Sequence, residues 1–133
     1  MKTFFLYLAL LLSDAAMAQS DTGVSTIEFV QILDDNREEA LFYYQNNWKV
    51  LREMAVRKGY IDSFELLETE FTEDQPYHIM LMTTFANKYQ FDKREKRFQE
   101  LIIAKGSLNL LNDKKPGAFR KTVYLKASVK HLN

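Results

Sequence analysis

The sequence predicts an α+β domain whose elements follow the order βαββαβ. Two observations predict the class: four stretches are rich in β-branched and aromatic residues, and two stretches between them carry apolar residues at helical spacing. A third observation gives the order, because the second and third extended stretches adjoin across a short turn and form a predicted β-hairpin. A chain of 133 residues fits a single domain of this kind.

The first strand is predicted over residues 25–33. Its apolar side chains alternate between two faces. One face carries Ile27, Phe29 and Leu33, and the other carries Val30 and Ile32. A strand that is apolar on both faces is expected to be covered on both sides.

A long amphipathic helix is predicted next, with marked ends and a continuous apolar stripe. Asp35 is the predicted N-cap, and Glu38 follows three residues later in a capping-box relation. Gly59 is suited to the left-handed position after the last turn. The residues of the stripe are Leu41, Tyr44, Trp48, Leu51 and Ala55.

The hairpin is predicted over residues 60–72 and 77–86, with Pro76 in the turn. Its second strand is also apolar on both faces, so like the first strand it is expected to be covered on both sides. One face carries Tyr77, Ile79, Leu81, Thr83 and Phe85, and the other carries His78, Met80, Met82, Thr84 and Ala86.

A second helix and a final strand complete the order. Asp92 is the predicted N-cap with Glu95 three residues later, and Gly106 is the predicted stop. The apolar stripe of this helix consists of Phe98, Leu101 and Ile102. A break at 114–117 precedes the last strand, predicted over 122–129 with Val123, Leu125, Ala127 and Val129 alternating against Thr122, Tyr124, Lys126 and Ser128.

The N-terminus predicts export. Lys2 is followed by an apolar run over 4–12 and by Ala16-Met17-Ala18, the small-x-small pattern of a signal-peptidase site. The run is about half of the roughly 20 residues that cross a bilayer, so we expect a cleaved signal peptide over 1–18 and no stable membrane insertion afterwards. We expect a flexible lead-in over 19–24, the domain over 25–130, and a periplasmic or secreted protein.

Composition argues against several classes of function. Lys plus Arg and Asp plus Glu number 18 each, whereas nucleic-acid-binding domains are usually basic, so we expect no nucleic-acid partner. The chain has two histidines and no cysteine, and a zinc site needs three or four convergent ligands. We therefore predict neither a metal site nor a cofactor.

The element order resembles the ferredoxin-like fold, in which two helices cover one face of a four-stranded antiparallel sheet. Because both faces of two strands are apolar here, the chain more specifically resembles the dimeric α/β-barrel superfamily, in which two sheets close face to face. The resemblance is carried by ALFYYQNNWKVLREMAVRKGYIDSFELL and YHIMLMTTFAN, and the chain looks similar to small exported bacterial members of unknown activity. It implies a homodimer. It does not imply one activity, because the superfamily includes cofactor-free quinol monooxygenases, haem-handling enzymes, isomerases and members without known activity.

The candidate ligand-binding residues are Tyr44, Asn47 and Trp48 on the first helix, with His78 at the start of a strand. Aromatic stems with polar tips and an amide are suited to a mostly apolar pocket for a small apolar or aromatic molecule. The alternative is that Tyr44 and Trp48 are core aromatics and His78 is a satisfied strand residue. No catalytic set is identified. The sequence thus predicts a dimeric small-molecule-binding protein, with a cofactor-free monooxygenase-like enzyme and a non-catalytic interaction module as alternatives.

Overall fold

The computed structural model describes residues 23–133, so the predicted signal peptide and most of the predicted lead-in lie outside the described residues. Four strands form one antiparallel sheet in the order β2-β3-β1-β4. The elements in chain order are β1 Val24–Ile32, α1 Arg37–Tyr43, a π-helical turn Tyr44–Trp48, α2 Lys49–Arg57, β2 Ser63–Glu68, β3 Ile79–Phe85, α3 Lys88–Asp92, α4 Arg94–Lys105, α5 Pro116–Phe119 and β4 Arg120–Lys130. The predicted α+β class is confirmed, and the order is that of a ferredoxin-like fold.

The helices cover one face of the sheet, which we call the helix-covered face. Two core clusters lie there, and both contain residues from the same side of β3, Ile79 and Leu81 in one and Phe85 in the other. Tyr44 and Phe119 pack in the first cluster, and α4 contributes Leu101 to the second. The opposite side of the sheet carries the alternate residues of the same strands. We call it the open face.

The predicted distribution of apolar residues on the two central strands is confirmed. Val30 lies opposite Ile79 in the register, and both belong to the core of the helix-covered face. Ile27 lies opposite Met82, and these two residues face the other way. Tyr77 departs from the prediction, because the chain bends at His78 before β3 begins and the Tyr77 ring lies against Phe29 on the open face.

The long helix is present, but it starts differently from the prediction. Asp34 and Asp35 have φ angles of 52° and 56°, in the left-handed region. An N-cap normally adopts the β region, so Asp35 is unsuited to that role, and Asn36 precedes the first helical residue instead. Gly59 at φ 68° ends the helix in the predicted left-handed conformation.

The second helical region also begins at a different residue. Asn87 is the N-cap, and its Oδ1 accepts a hydrogen bond from Gln90 N at 2.9 Å, whereas the predicted cap Asp92 lies at the end of α3. Leu101 is buried as predicted, but Ile102 is 54% exposed. Gly106 at φ 85° ends α4 as predicted.

The predicted alternation along β4 is wrong because the pairing with β1 is irregular. The register shifts between Phe29 and Val30 and again between Ser25 and Ile27, each time with one extra residue in β4. Tyr124 consequently lies on the open face beside Phe29, whereas Thr122 bonds to Glu28 on the helix-covered face. Between residues 23 and 133, no helix is long and apolar enough to span a membrane.

Candidate functional site

The predicted residues Tyr44 and Trp48 lie on the sheet-facing side of the long helix. Tyr44 is 3% exposed in the core, and burial raises the pKa of its hydroxyl above the usual range. Trp48 packs against the same core cluster, and its ring meets Phe64 of β2 edge to face at 5.8 Å between centroids. The structure therefore brings these two residues together as supports for the sheet.

Asn47 links the long helix to the segment that follows α4 through hydrogen bonds. Its Nδ2 donates to Tyr43 O at 2.9 Å and to Asn109 O at 2.8 Å. Its Oδ1 accepts from Asn109 N at 2.8 Å and from Lys105 Nζ at 2.9 Å. The amide is 2% exposed, so its hydrogen-bonding capacity is committed to the protein itself.

Arg52, which the sequence analysis did not single out, lies between the rings of Trp48 and Phe98. Its guanidinium carbon lies 4.4 Å from the Trp48 ring centroid and 4.3 Å from that of Phe98, and Nε donates to Thr83 Oγ1 at 3.2 Å. Burial lowers the pKa of Arg52 to about 10. The side chain still carries its proton at neutral pH, so it supplies a fixed positive charge and not a base.

Glu28 supplies the opposite charge on the same face of the sheet. Its partner in the register, Leu81, belongs to the helix-covered core, so Glu28 points towards the helices. The Thr122 hydroxyl donates to its carboxylate, and the Glu28 charge opposes the loss of the Arg52 proton. Glu28 and Val30 are two residues apart in β1 and therefore point to the same, helix-covered face. A glutamate at such an inward position is the feature from which sequence analysis could have predicted this cluster.

His78 contacts a different set of residues from the other predicted positions. Its Nδ1 accepts a hydrogen bond from Ile32 N at 2.9 Å, and its ring stacks on Phe71 at 5.0 Å between centroids. Burial lowers the pKa of His78, which keeps the ring neutral and the Nδ1 acceptor available. The His78 side chain thus holds the start of β3 against the last residue of β1.

The open face presents a continuous apolar surface across all four strands. Phe29, Tyr77 and Tyr124 interact edge to face, with the Phe29 centroid 4.8 Å from Tyr77 and 6.2 Å from Tyr124. The exposed large apolar side chains of this face at the two edges are Leu67 of β2 at 40% and Tyr124 of β4 at 50%. The apolar members of this face are Ile27, Phe29, Leu67, Tyr77, Met80, Met82, Tyr124 and Val129.

One end of the open face is closed by the C-terminal tail. His131 Nε2 lies 2.6 Å from Ser25 Oγ, which lies 2.7 Å from Thr84 Oγ1. Ser25 is 1% exposed, so this serine–histidine pair pins the tail and does not present an accessible nucleophile. Two hollows of about 430 and 350 Å³ flank the tail, and both are lined by Met82 and His131.

A third hollow, which we call the lateral cleft, lies on the helix side against β2. Its volume is about 420 Å³, and it lies between the first helical segments and residues of β2 and β3. It is lined by Arg37, Leu41, Gln45, Lys49, Phe64, Leu66, Leu67, Glu68 and Ile79. Over residues 23–133, no group of three or more histidine and carboxylate residues is placed to hold a metal ion.

Comparison with known proteins bears on the fold. No protein-family model matches the chain, and no curated protein matches it either. The crystal structure of HapK from Hahella chejuensis superposes with a TM-score of 0.51, covering 82% of this chain and 92% of HapK at 15% sequence identity. At that identity a structural likeness does not extend to activity. This chain and HapK therefore share their α+β fold.

Proposed function

We propose that this chain is an exported homodimer, periplasmic or secreted, whose two sheets face each other and enclose a site for a small apolar or aromatic molecule. The observation that carries the proposal is the open face. All the helices of the two core clusters pack on the other side of the sheet, so within the described part of the chain the apolar residues of the open face are covered by no helix, and only one end is closed by the C-terminal tail.

Covering this face favours association. Monomeric proteins usually tolerate a contiguous apolar patch of only a few hundred Å², and burying apolar surface gains about 25 cal/mol per Å². A stable interface buries about 800 Å² per partner, and the proposal requires an interface of about this size. The two-fold dimer is the commonest closed arrangement of such a surface.

The charges at the sheet edges select one orientation of the partner. One row across the open face runs from Glu65 on β2 through Met82 and Ile27 to Lys126 on β4. A two-fold axis parallel to the strands lays the Glu65 edge of each copy over the Lys126 edge of the other. Opposite charges then meet at both rims of an apolar interface, as electrostatic complementarity requires.

The ligand site in this proposal lies at the tail end of the open face. The two hollows beside His131 fall in the range of about 300–1,000 Å³ that is typical of small-molecule pockets. Both combine the apolar Met82 with His131, the larger also includes Thr84 and the smaller Ser25, and a facing sheet would enclose them. Tyr44, Asn47 and Trp48 support this sheet from the other side and do not line the hollows.

The test of the dimer uses two neighbouring residues of β4 that point to opposite faces. Tyr124 is 50% exposed on the open face, and Leu125 is 57% exposed on the other side, opposite Glu28. Tyr124→Glu is expected to convert the dimer to a monomer in sedimentation velocity at micromolar concentration, and Leu125→Glu is expected to leave the dimer intact. A wild-type monomer, or equal dissociation by both variants, contradicts the proposal.

The ligand site is tested separately on the dimer. Native mass spectrometry of the purified protein should detect a small molecule that leaves on denaturation. 8-Anilinonaphthalene-1-sulfonate serves as a probe, and Met82→Trp, which fills both hollows, should weaken its binding about tenfold. A dimer that binds the probe equally well with Met82→Trp would place the ligand elsewhere.

A further inference from the structure

We propose that the lateral cleft is a second binding site, specific for a small aromatic carboxylate. The cleft lies on the helix side of the sheet and shares only Leu67, at the edge of β2, with the open face, so the proposal does not depend on the dimer. It depends on the shape of the cleft, the charges at its rim and the π-helical turn in its wall.

The floor of the cleft is apolar and partly aromatic. Leu41 comes from α1, Phe64 and Leu66 come from β2, and Ile79 comes from β3. Phe64 is already in edge-to-face contact with Trp48, which holds its ring in place. A volume of about 420 Å³ accommodates a small organic molecule, and an aromatic ring gains most from a floor that contains a fixed phenyl group.

The rim carries a net positive charge. Arg37 and Lys49 contribute two cations and Glu68 one carboxylate, so the lining has one excess positive charge. Arg37 is committed to Glu68 through two hydrogen bonds of 2.7 and 2.8 Å, which also lower the pKa of Glu68. The excess charge is therefore that of Lys49.

Lys49 is available to a ligand because its existing ion pair is weak. Its Nζ lies 3.9 Å from Glu53 Oε1, and the two side chains are 47% and 44% exposed. Exposed pairs of this kind contribute little to stability. A ligand carboxylate that reaches Lys49 from the apolar floor would form the better-shielded pair, and the Gln45 amide on the same wall is a further donor.

The π-helical turn keeps these side chains on one wall. Arg37, Leu41, Gln45 and Lys49 follow one another at steps of four residues, and all four line the cleft. In a regular α-helix each such step rotates the side chain by about 40° around the axis, so the fourth residue would turn away. The wider turn over Tyr44–Trp48 reverses this drift. π-Helical insertions of this kind occur frequently at functional sites.

The experiment compares 3-phenylpropanoate with its uncharged amide, 3-phenylpropanamide, by NMR titration of the ¹⁵N-labelled protein. The carboxylate is expected to shift the amide resonances of Gln45, Lys49 and Leu66 and to bind about tenfold more tightly than the amide. Lys49→Met keeps most of the alkyl chain at this exposed position but removes the positive charge. It should therefore abolish that preference. Leu41→Trp should fill the cleft and remove binding of both compounds.

Lys88→Met is the matched control. Lys88 also sits on a helix and pairs with an acid four residues later, Asp92, but it lies outside the cleft lining. This variant should keep the preference for the carboxylate. The proposal is overturned if wild type binds neither compound, if it binds both equally, if Lys49→Met retains the preference, or if the shifts map to Ile27 and Met82 on the open face.

Discussion

Replacing Asn47 with alanine should lower the free energy of unfolding by about 3–4 kcal/mol. The magnitude follows from four hydrogen bonds, three of which involve the backbone of Tyr43 and Asn109. A buried intramolecular hydrogen bond contributes about 1 kcal/mol net, and a buried partner that is left unpaired costs at least as much. The contact with Lys105 adds less, because its ammonium group can be hydrated once Asn47 is gone.

The measurement is urea denaturation at a fixed protein concentration, followed by circular dichroism and by the fluorescence of the single tryptophan. Asn46→Ala is the control, because the neighbouring Asn46 makes one local hydrogen bond to Phe42 O at 2.8 Å and should cost about 1 kcal/mol or less. Equal losses of unfolding free energy in the two variants would contradict the role of Asn47 in linking the long helix to the segment after α4. Asn47 would then again be a candidate ligand-binding residue.

Two other predictions concern His78 and the N-terminus. Burial lowers the pKa of His78, so the unfolded chain takes up the proton first, and the contribution of this residue is complete above pH about 6.5 and is lost as the pH falls through its folded pKa. Stability measured from pH 7.5 to 5.5 should therefore decline, and His78→Asn, whose Oδ1 can accept the bond from Ile32 N but does not titrate, should decline less; equal slopes would show that His78 is not the titrating group. N-terminal sequencing of the exported protein should begin at Gln19, after Ala16-Met17-Ala18, and a retained Met1 would exclude cleavage.

The features that sequence reasoning predicted correctly depend on local rules. Side-chain alternation assigns Ile27 and Val30 to opposite faces whatever the partner strand is, because consecutive residues of a strand must point in opposite directions. Gly59 and Gly106 end their helices because both adopt positive φ angles, which glycine reaches without steric cost. The core role of Tyr44 follows from helical spacing in the same way.

The features that it missed depend on tertiary contacts. The extra residues in β4 exist only relative to β1, so the sequence of β4 alone gave no reason to expect Thr122 and Tyr124 on different faces. Asn87 and Asp92 are both good N-cap residue types, and the choice between them depends on how the chain leaves β3. Arg52 resembles a solvated helix residue until Trp48 and Phe98 are known to lie on either side of it.

The two irregularities of β4 also bear on whether the edge of one sheet could pair with the edge of another. Among residues 23–133, neither outer strand is paired along its outer edge, and β2 carries exposed Glu65 and Glu68 where β4 carries exposed Lys121 and Lys126. Opposite charges on opposite edges would favour head-to-tail addition of one molecule to the next, an arrangement that does not close and grows into a filament. Continuous edge-to-edge pairing needs a regular ladder, and β4 is interrupted by an extra residue at two places. The bulges that place Thr122 and Tyr124 on different faces therefore also oppose fibre growth.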